Sequence, residues 1–77
     1  MPDFPRITMD PKVMGGRPCI RGMRVTVATV LGLLASGKTF AQVLADYPYL
    51  EEADLREALA FAAWRIDEQQ FPLGRAS

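Results

Sequence analysis

Histidine is absent from the 77-residue sequence, and cysteine occurs once, as Cys19. The chain therefore has no imidazole for general-base chemistry near neutral pH, and none to activate the Cys19 thiol as a nucleophile. One cysteine excludes a disulfide within the chain, and structural zinc needs four nitrogen or sulfur ligands. We predict no catalytic residue, no metal and no cofactor, so the protein is not expected to be an enzyme. Cys19 is interpreted as a small buried apolar residue.

Long hydrophobic runs are also missing. No segment reaches the roughly 20 apolar residues that a membrane helix requires, and the first residues lack the pattern of a signal peptide. One cysteine and four methionines agree with a cytoplasmic location. Hydrophobic residues make up 49% of the chain, which indicates a folded domain. A domain this small buries only about 60% of its unfolded surface. Without disulfides or metal we expect a homodimer, a higher oligomer or a complex with another chain.

The charges balance overall, with nine basic and nine acidic residues, but they are unevenly distributed. Residues 1–27 contain five basic and two acidic residues, whereas residues 28–70 contain three basic and seven acidic residues. A basic arm on a neutral chain suits contact with one acidic surface better than general nucleic-acid binding.

The first third of the chain predicts strands and turns. The β-branched residues in 7–9 favour a short strand, which residues 19–20 can pair with. Gly15 and Gly16 permit a left-handed turn, and Pro18 disfavours helix before it. These glycines precede a predicted strand rather than a helix, so we do not expect them to form a phosphate-binding loop. We therefore predict a strand-and-turn arm over residues 1–25.

Residues 26–70 predict three helices, followed by a tail over 71–77, within one domain spanning 1–77. Thr26 caps the first helix and Gly37 ends it. Thr39 and Gln42 form a capping box for the second, over 39–46, which ends before Pro48. Acidic residues begin the third helix, over 51–70, and complement its dipole. Apolar spacing predicts a core of Val27, Val30, Leu31, Leu34, Phe40, Val43, Leu44, Leu50, Leu55, Leu59 and Ala62.

The third helix is apolar on every side over residues 58–64. Such a helix is buried all round, which a domain this small does not easily achieve alone. We therefore predict that Phe61 and Trp64 face another chain, together with Phe71 from the tail. The simpler alternative is that the alanines are good helix formers on an exposed face.

Several ordered blocks resemble a known family, the domain-of-unknown-function family 433 of short prokaryotic proteins. The resemblance covers residues 7–64. It is carried by the block GGRPCIRGMRV at 15–25 and DYPYL at 46–50, with shorter matches at 10–11, 33–37, 54–55 and 58–62. Two positions depart from the family pattern. Glu51 stands where a Ser or Thr cap is common, and Met23 stands where Thr is common.

The resemblance implies a mainly α fold with a helix-turn-helix-like, or homeodomain-like, arrangement of the three helices. It also implies the role of an antitoxin of the VapB type, encoded beside a PIN-like ribonuclease toxin that it binds and neutralises. Such a protein can also bind operator DNA to regulate its own synthesis. The alternative function is a stand-alone homodimeric DNA-binding transcriptional regulator that has no toxin.

Three arginines in the arm, Arg17, Arg21 and Arg24, are the candidate binding residues. Arginine forks bind phosphates and carboxylates, so these side chains suit a DNA backbone or the acidic site of a nuclease. Alternatively, Arg21 or Arg24 forms an internal ion pair, for example with Asp10 or Asp46, and fixes the arm. The third helix begins with acidic residues, which disfavours it as a DNA-reading helix because phosphate contacts dominate DNA affinity.

Overall fold

The computed structural model describes residues 3–68, which form two short strands followed by three helices. The strands are β1 (Ile7–Thr8) and β2 (Cys19–Ile20), and a single 3₁₀ turn lies between them at Met14–Gly16. The helices are α1 (Val27–Ala35), α2 (Phe40–Asp46) and α3 (Glu52–Glu68). The predicted mainly α fold with an N-terminal strand-and-turn arm is confirmed. The predicted tail and the last two residues of the third helix lie outside the described residues.

The arm is held together by an antiparallel pairing of β1 with β2. Ile7 lies opposite Ile20, and Thr8 lies opposite Cys19. A tight turn follows β2, in which Arg21 and Gly22 both have positive φ, at 45° and 73°. Positive φ at both central positions is typical of a type I′ turn. The turn directs the chain back along β2 before it enters α1.

Helices α1 and α2 begin at the caps that the sequence predicts. The Thr26 hydroxyl accepts a hydrogen bond of 3.0 Å from the Thr29 N–H. Both halves of the capping box are present in α2: the Thr39 hydroxyl accepts from the Gln42 N–H at 3.1 Å, and the Gln42 carbonyl oxygen accepts from the Thr39 N–H at 2.8 Å. These bonds satisfy N–H groups that have no partner within the helix.

The core lies between the arm, α1 and α3, and α2 closes it from one side. Five of the predicted core residues are buried, namely Val27, Val30, Val43, Leu50 and Leu55. Five others pack partly buried against them or beside them, namely Leu31, Leu34, Phe40, Leu44 and Ala62. Cys19 is buried, as predicted. Four further buried apolar residues were not predicted as core, namely Ile20, Val25, Ala58 and Phe61.

Leu59 was wrongly predicted to be a core residue, since its side chain is 42% exposed. The buried face of α3 carries Asp54, Ala58 and Phe61, which recur at i, i+4 and i+7 on one side of a helix. Asp54 is turned towards the arginines of the arm, and this orientation turns Leu59 outwards. The larger apolar residue is therefore outside and the smaller Ala58 inside.

Candidate partner-binding surface

Two arginines of the arm converge on one carboxylate at the start of α3. Arg21 donates from Nε and Nη2 to the two oxygens of Asp54, at 3.0 and 2.9 Å. Arg6 donates to Asp54 Oδ1 at 2.9 Å and to Glu51 at 2.8 Å. The Glu51 N–H completes the set with a 2.8 Å bond to Asp54 Oδ2. We call the group of Arg6, Arg21, Glu51 and Asp54 the arm clamp.

The electrostatics of the arm clamp keep Asp54 ionised although its side chain is fully buried. Burial by itself raises the pKa of Asp54, because it penalises the charged form. Hydrogen bonds from Arg21, from the Glu51 N–H and from Arg6 outweigh burial, so the pKa lies below its ordinary value of 3.8. Hydrogen bonding to Asp54 correspondingly raises the pKa of Arg21. The arm clamp is an ion-pair network that joins the arm to the start of α3.

Arg21 therefore fixes the arm through an internal ion pair, which is one of the two alternatives that the sequence left open. Its partner is Asp54. Neither acid suggested from the sequence holds it: Asp46 pairs with Lys38 at 3.3 Å, and Asp10 accepts from the Lys12 N–H at 2.9 Å. From the sequence, the position of Asp54 was explained by the dipole of the third helix alone, and Arg6 was not among the candidate residues. The only signal for the contact was a surplus of arginine in the arm and of acid in the helix.

The other two candidate arginines are exposed. Arg17 lies at the edge of a groove between α1 and α3. Arg24 lies beside a shallow depression of about 390 Å³, which Met23, Val25 and Tyr49 also line. Within residues 3–68 neither arginine pairs with a carboxylate. Of the three predicted binding residues, these two are available to a partner.

The aromatic residues predicted to face another chain are placed differently from one another. Phe61 is only 3% exposed and belongs to the core. Phe4 of the arm contacts it edge-on, with ring centroids 5.3 Å apart, and Phe4 also lies 5.8 Å from the Trp64 ring. The premise that this domain is too small to cover α3 fails at Phe61, because the arm crosses the helix there. Trp64 is half-buried against the core, and Phe71 lies outside the described residues.

The exposed apolar surface of α3 is a stripe that follows the buried Leu55 towards the C-terminal end of the helix. Leu59 is 42% exposed, Ile66 is 67% exposed, and the half-buried Ala62 lies between them. These three residues recur at i, i+3 and i+7, so they share one side of the helix. We call them the outer stripe. Leu59 and Ala62 were predicted as core from the sequence; Leu59 is instead exposed, and Ala62 is half-buried.

An apolar groove of about 270 Å³ adjoins the outer stripe between α1 and α3. Its apolar lining comes from Pro18, Val27, Leu31, Phe61, Ala62 and Ile66. The guanidinium of Arg65 lies 5.5 Å from the centroid of the Phe61 ring, which is within the range of a cation–π contact. Arg17 lies on the same rim. We call this feature the α1/α3 groove.

Residues 3–68 contain no group of three or more Cys, Asp or Glu side chains arranged to hold a metal ion. The thiol of Cys19 is buried, with 1% of the residue exposed. Across the described chain, no helix has the length and apolar character needed to cross a membrane.

Comparison with known proteins identifies the family. Residues 7–62 match the profile of the family described as "Protein of unknown function (DUF433)". The chain therefore belongs to this family, as its sequence blocks indicated. It is also 34% identical over 56 residues to the "Uncharacterized protein y4eO" of Sinorhizobium fredii. That match covers 73% of this chain but only 25% of the relative, so the chain spans about a quarter of that protein's length. No solved structure matches the chain.

Proposed function

We propose that this chain is an antitoxin-type protein that binds and neutralises a PIN-like ribonuclease toxin in the cytoplasm. The observation that carries the proposal is the outer stripe. An exposed apolar stripe beside an apolar groove is typical of a surface that another protein covers. Membership of the family is compatible with this role. The class of the partner, a PIN-like ribonuclease, follows from the resemblance to antitoxins of this family.

Charge favours a protein partner over DNA as the main ligand. The start of α3, where a DNA-reading helix would meet the bases, carries Glu51, Glu52 and Asp54. Arg6 pairs with Glu51 and Asp54, and Arg21 pairs with Asp54, so two of the five basic residues in the arm already have carboxylate partners. DNA affinity depends mainly on lysine and arginine contacts to phosphate. A surface with few free cations and an exposed apolar stripe is better suited to protein than to phosphate.

The test is co-purification of this chain with the tagged product of its neighbouring gene, followed by a ribonuclease assay. We expect a stoichiometric complex in which ribonuclease activity is suppressed. Ile66→Glu should weaken the complex more than tenfold, because an isoleucine side chain that becomes buried at an interface contributes about 2 kcal/mol to binding. Ala41→Glu is the matched control: Ala41 is exposed in the first turn of α2, where a carboxylate suits the helix dipole.

Two results would contradict the proposal. One is a chain that forms no complex with an active nuclease expressed from the neighbouring gene. The other is a complex that Ile66→Glu and Ala41→Glu leave equally intact, since the outer stripe would then lie outside the interface.

A stand-alone homodimeric DNA-binding regulator is the second candidate function. It is favoured by the exposure of Arg17 and Arg24, which have no carboxylate partner within residues 3–68. If these side chains contact phosphates, replacing both by Ala should reduce the slope of log affinity against log salt by about 2 per chain. Operator binding that keeps its salt dependence in this variant would exclude the arm arginines as the DNA contacts.

A further inference from the structure

The α1/α3 groove has a definite electrostatic character. Among residues 3–68, those that line the groove include no acidic residue, whereas Arg17 and Arg65 both lie on its rim. Thr26, Val27 and Ala28 also line it, so the groove lies at the first turn of α1. That turn contains no acidic side chain to offset the positive end of the helix dipole. The groove therefore combines an apolar floor with three positive features around it.

The size of the groove indicates what it can accept. A volume of about 270 Å³ lies just below the range of roughly 300–1,000 Å³ that is typical of pockets for whole small molecules. A few apolar side chains of a larger partner fit this volume better. Because the groove is bounded by two helices and continues into the outer stripe, it suits an amphipathic helix that presents apolar residues at i, i+3 or i+4, and i+7.

Charge separates the possible occupants. A second copy of the chain would bring two surfaces that each carry Arg17 and Arg65 towards one another, and like charges at an interface oppose association. Carboxylates flanking the apolar residues of a partner would instead pair with both arginines. We propose that the α1/α3 groove binds an amphipathic helix of another protein, whose apolar face fills the groove and whose Asp or Glu side chains pair with Arg17 and Arg65.

This inference deepens the proposed function, and it rests on the chain being a protein-binding module. It assigns the contact with the partner to a particular surface and gives the chemistry of the segment that binds there. It also assigns a role to Arg17 that differs from that of Arg21, since Arg21 is held in the arm clamp and Arg17 is on the groove rim.

The experiment uses the full chain and two synthetic helical peptides of about 16 residues. Both peptides carry the same leucines at i, i+4 and i+7, and one has glutamates flanking them where the other has lysines. Binding is followed by amide chemical-shift changes in two-dimensional NMR. We expect shifts clustered at Val27, Leu31, Ala62 and Ile66, and about tenfold tighter binding of the glutamate peptide, as two partly exposed ion pairs provide. This preference should decrease as salt is added.

The matched variants are Arg17→Glu and the double variant Arg17→Glu, Arg65→Glu. Each should move the preference towards the lysine peptide, and the double variant more so. Arg17→Glu alone keeps the contact of Arg65 with Phe61, so it tests the rim charge without disturbing packing there. Arg24→Glu changes a charge outside the groove lining and should leave the preference unchanged.

Four results would overturn the inference. The first is that neither peptide binds, and the second is that both bind equally. The third is self-association of the chain through the groove, seen in sedimentation experiments and prevented by Ile66→Glu. The fourth is binding that appears only after Phe71→Ser and Leu73→Ser, which would make the chain's own tail the occupant. The peptide titration needs no toxin, so it can fail while the co-purification succeeds, and the converse can also occur.

Discussion

Asp54 is the residue through which the arm is attached to the helices. Its buried carboxylate accepts two bonds from Arg21, one from Arg6 and one from the Glu51 N–H. A buried charge is costly unless it is paired and fully hydrogen-bonded, and four bonds meet that requirement. The bond from the Glu51 N–H also corresponds to one half of a capping box, in which the third residue of the helix accepts from the N–H of the cap residue.

Replacing Asp54 by Asn should reduce the free energy of unfolding by about 2–3 kcal/mol. The amide cannot accept both forks of Arg21, and the charge that holds the two arginines is lost. Urea denaturation followed by circular dichroism measures the change. Asp46→Asn is the control, because Asp46 forms an exposed ion pair with Lys38 and its removal should change stability little. Equal effects of the two substitutions would exclude the arm clamp as a stabilising network.

The stability of the fold should decrease in acid because of Asp54. Its pKa in the folded chain lies below the ordinary value of 3.8, so the unfolded chain binds this proton more tightly. The stabilisation is fully present well above 3.8 and is lost as the pH falls through the lower folded pKa. The difference between the urea midpoints of the native chain and Asp54→Asn should therefore be constant near pH 6 and become smaller as the pH falls towards about 3. A constant difference across this range would contradict the assignment.

At the scale of the element, helix ends are fixed by a few local residues. The end of α1 is a Schellman motif, in which the Lys38 N–H donates to the Leu33 carbonyl at 3.2 Å and the Gly37 N–H donates to the Leu34 carbonyl at 3.0 Å. Gly37 has φ of 101°, which other residues rarely adopt. The same helix contains Gly32 at an interior, exposed position with ordinary helical backbone.

Substituting these two glycines by Ala should have opposite effects. A Cβ at either position meets no atom within 4 Å, so packing does not contribute. Gly37→Ala forces a left-handed backbone on Ala and should cost about 1 kcal/mol. Gly32→Ala should stabilise by roughly 0.5–1 kcal/mol, because Ala loses less conformational entropy in a helix. Thermal denaturation of the two variants under one condition checks the sign. Destabilisation by both would indicate that α1 is held by contacts other than its own backbone preferences.

At the scale of the whole molecule, the arm completes the core. Phe4 packs on Phe61 and Trp64, and the Arg6 N–H donates to Glu57 at 2.6 Å. Residues 4–6 therefore lie along the middle turns of α3. The contact with the arm buries a side of α3 that α1 and α2 do not cover. Leu59 and Ile66 of the outer stripe lie outside this contact and are exposed.

Phe4→Ala should destabilise the whole domain by about 2 kcal/mol. It removes a half-buried ring and exposes Phe61, with a cost below the 3–5 kcal/mol typical of a fully buried phenylalanine. Urea denaturation monitored by Trp64 fluorescence measures it, since Trp64 contacts Phe4 directly. Met9→Ala is the matched control, because Met9 belongs to the same arm and is 44% exposed. If both variants unfold at the native midpoint, the arm does not contribute to the core.

Much of the fold was readable from local sequence signals. The caps at Thr26 and Thr39, the stop at Gly37 and the break before Pro48 all lie where the sequence predicts them. These signals act through hydrogen bonds and backbone angles within a few residues, so they need no tertiary context. The left-handed turns at the glycines of the arm follow for the same reason.

The rotation of α3 was decided only by the tertiary structure. Two apolar sides of this helix, one with Ala58 and Phe61 and one with Leu59 and Ala62, are both compatible with helical spacing. The sequence analysis assigned Leu59 and Ala62 to the core. In the folded chain, Asp54 must meet Arg6 and Arg21, which are 48 and 33 residues away in sequence, and this pairing turns Ala58 and Phe61 inwards. Local propensity contains no information about such distant partners, so local signals in the sequence determined the elements, and long-range contacts in the tertiary structure decided which residues of the last helix are buried.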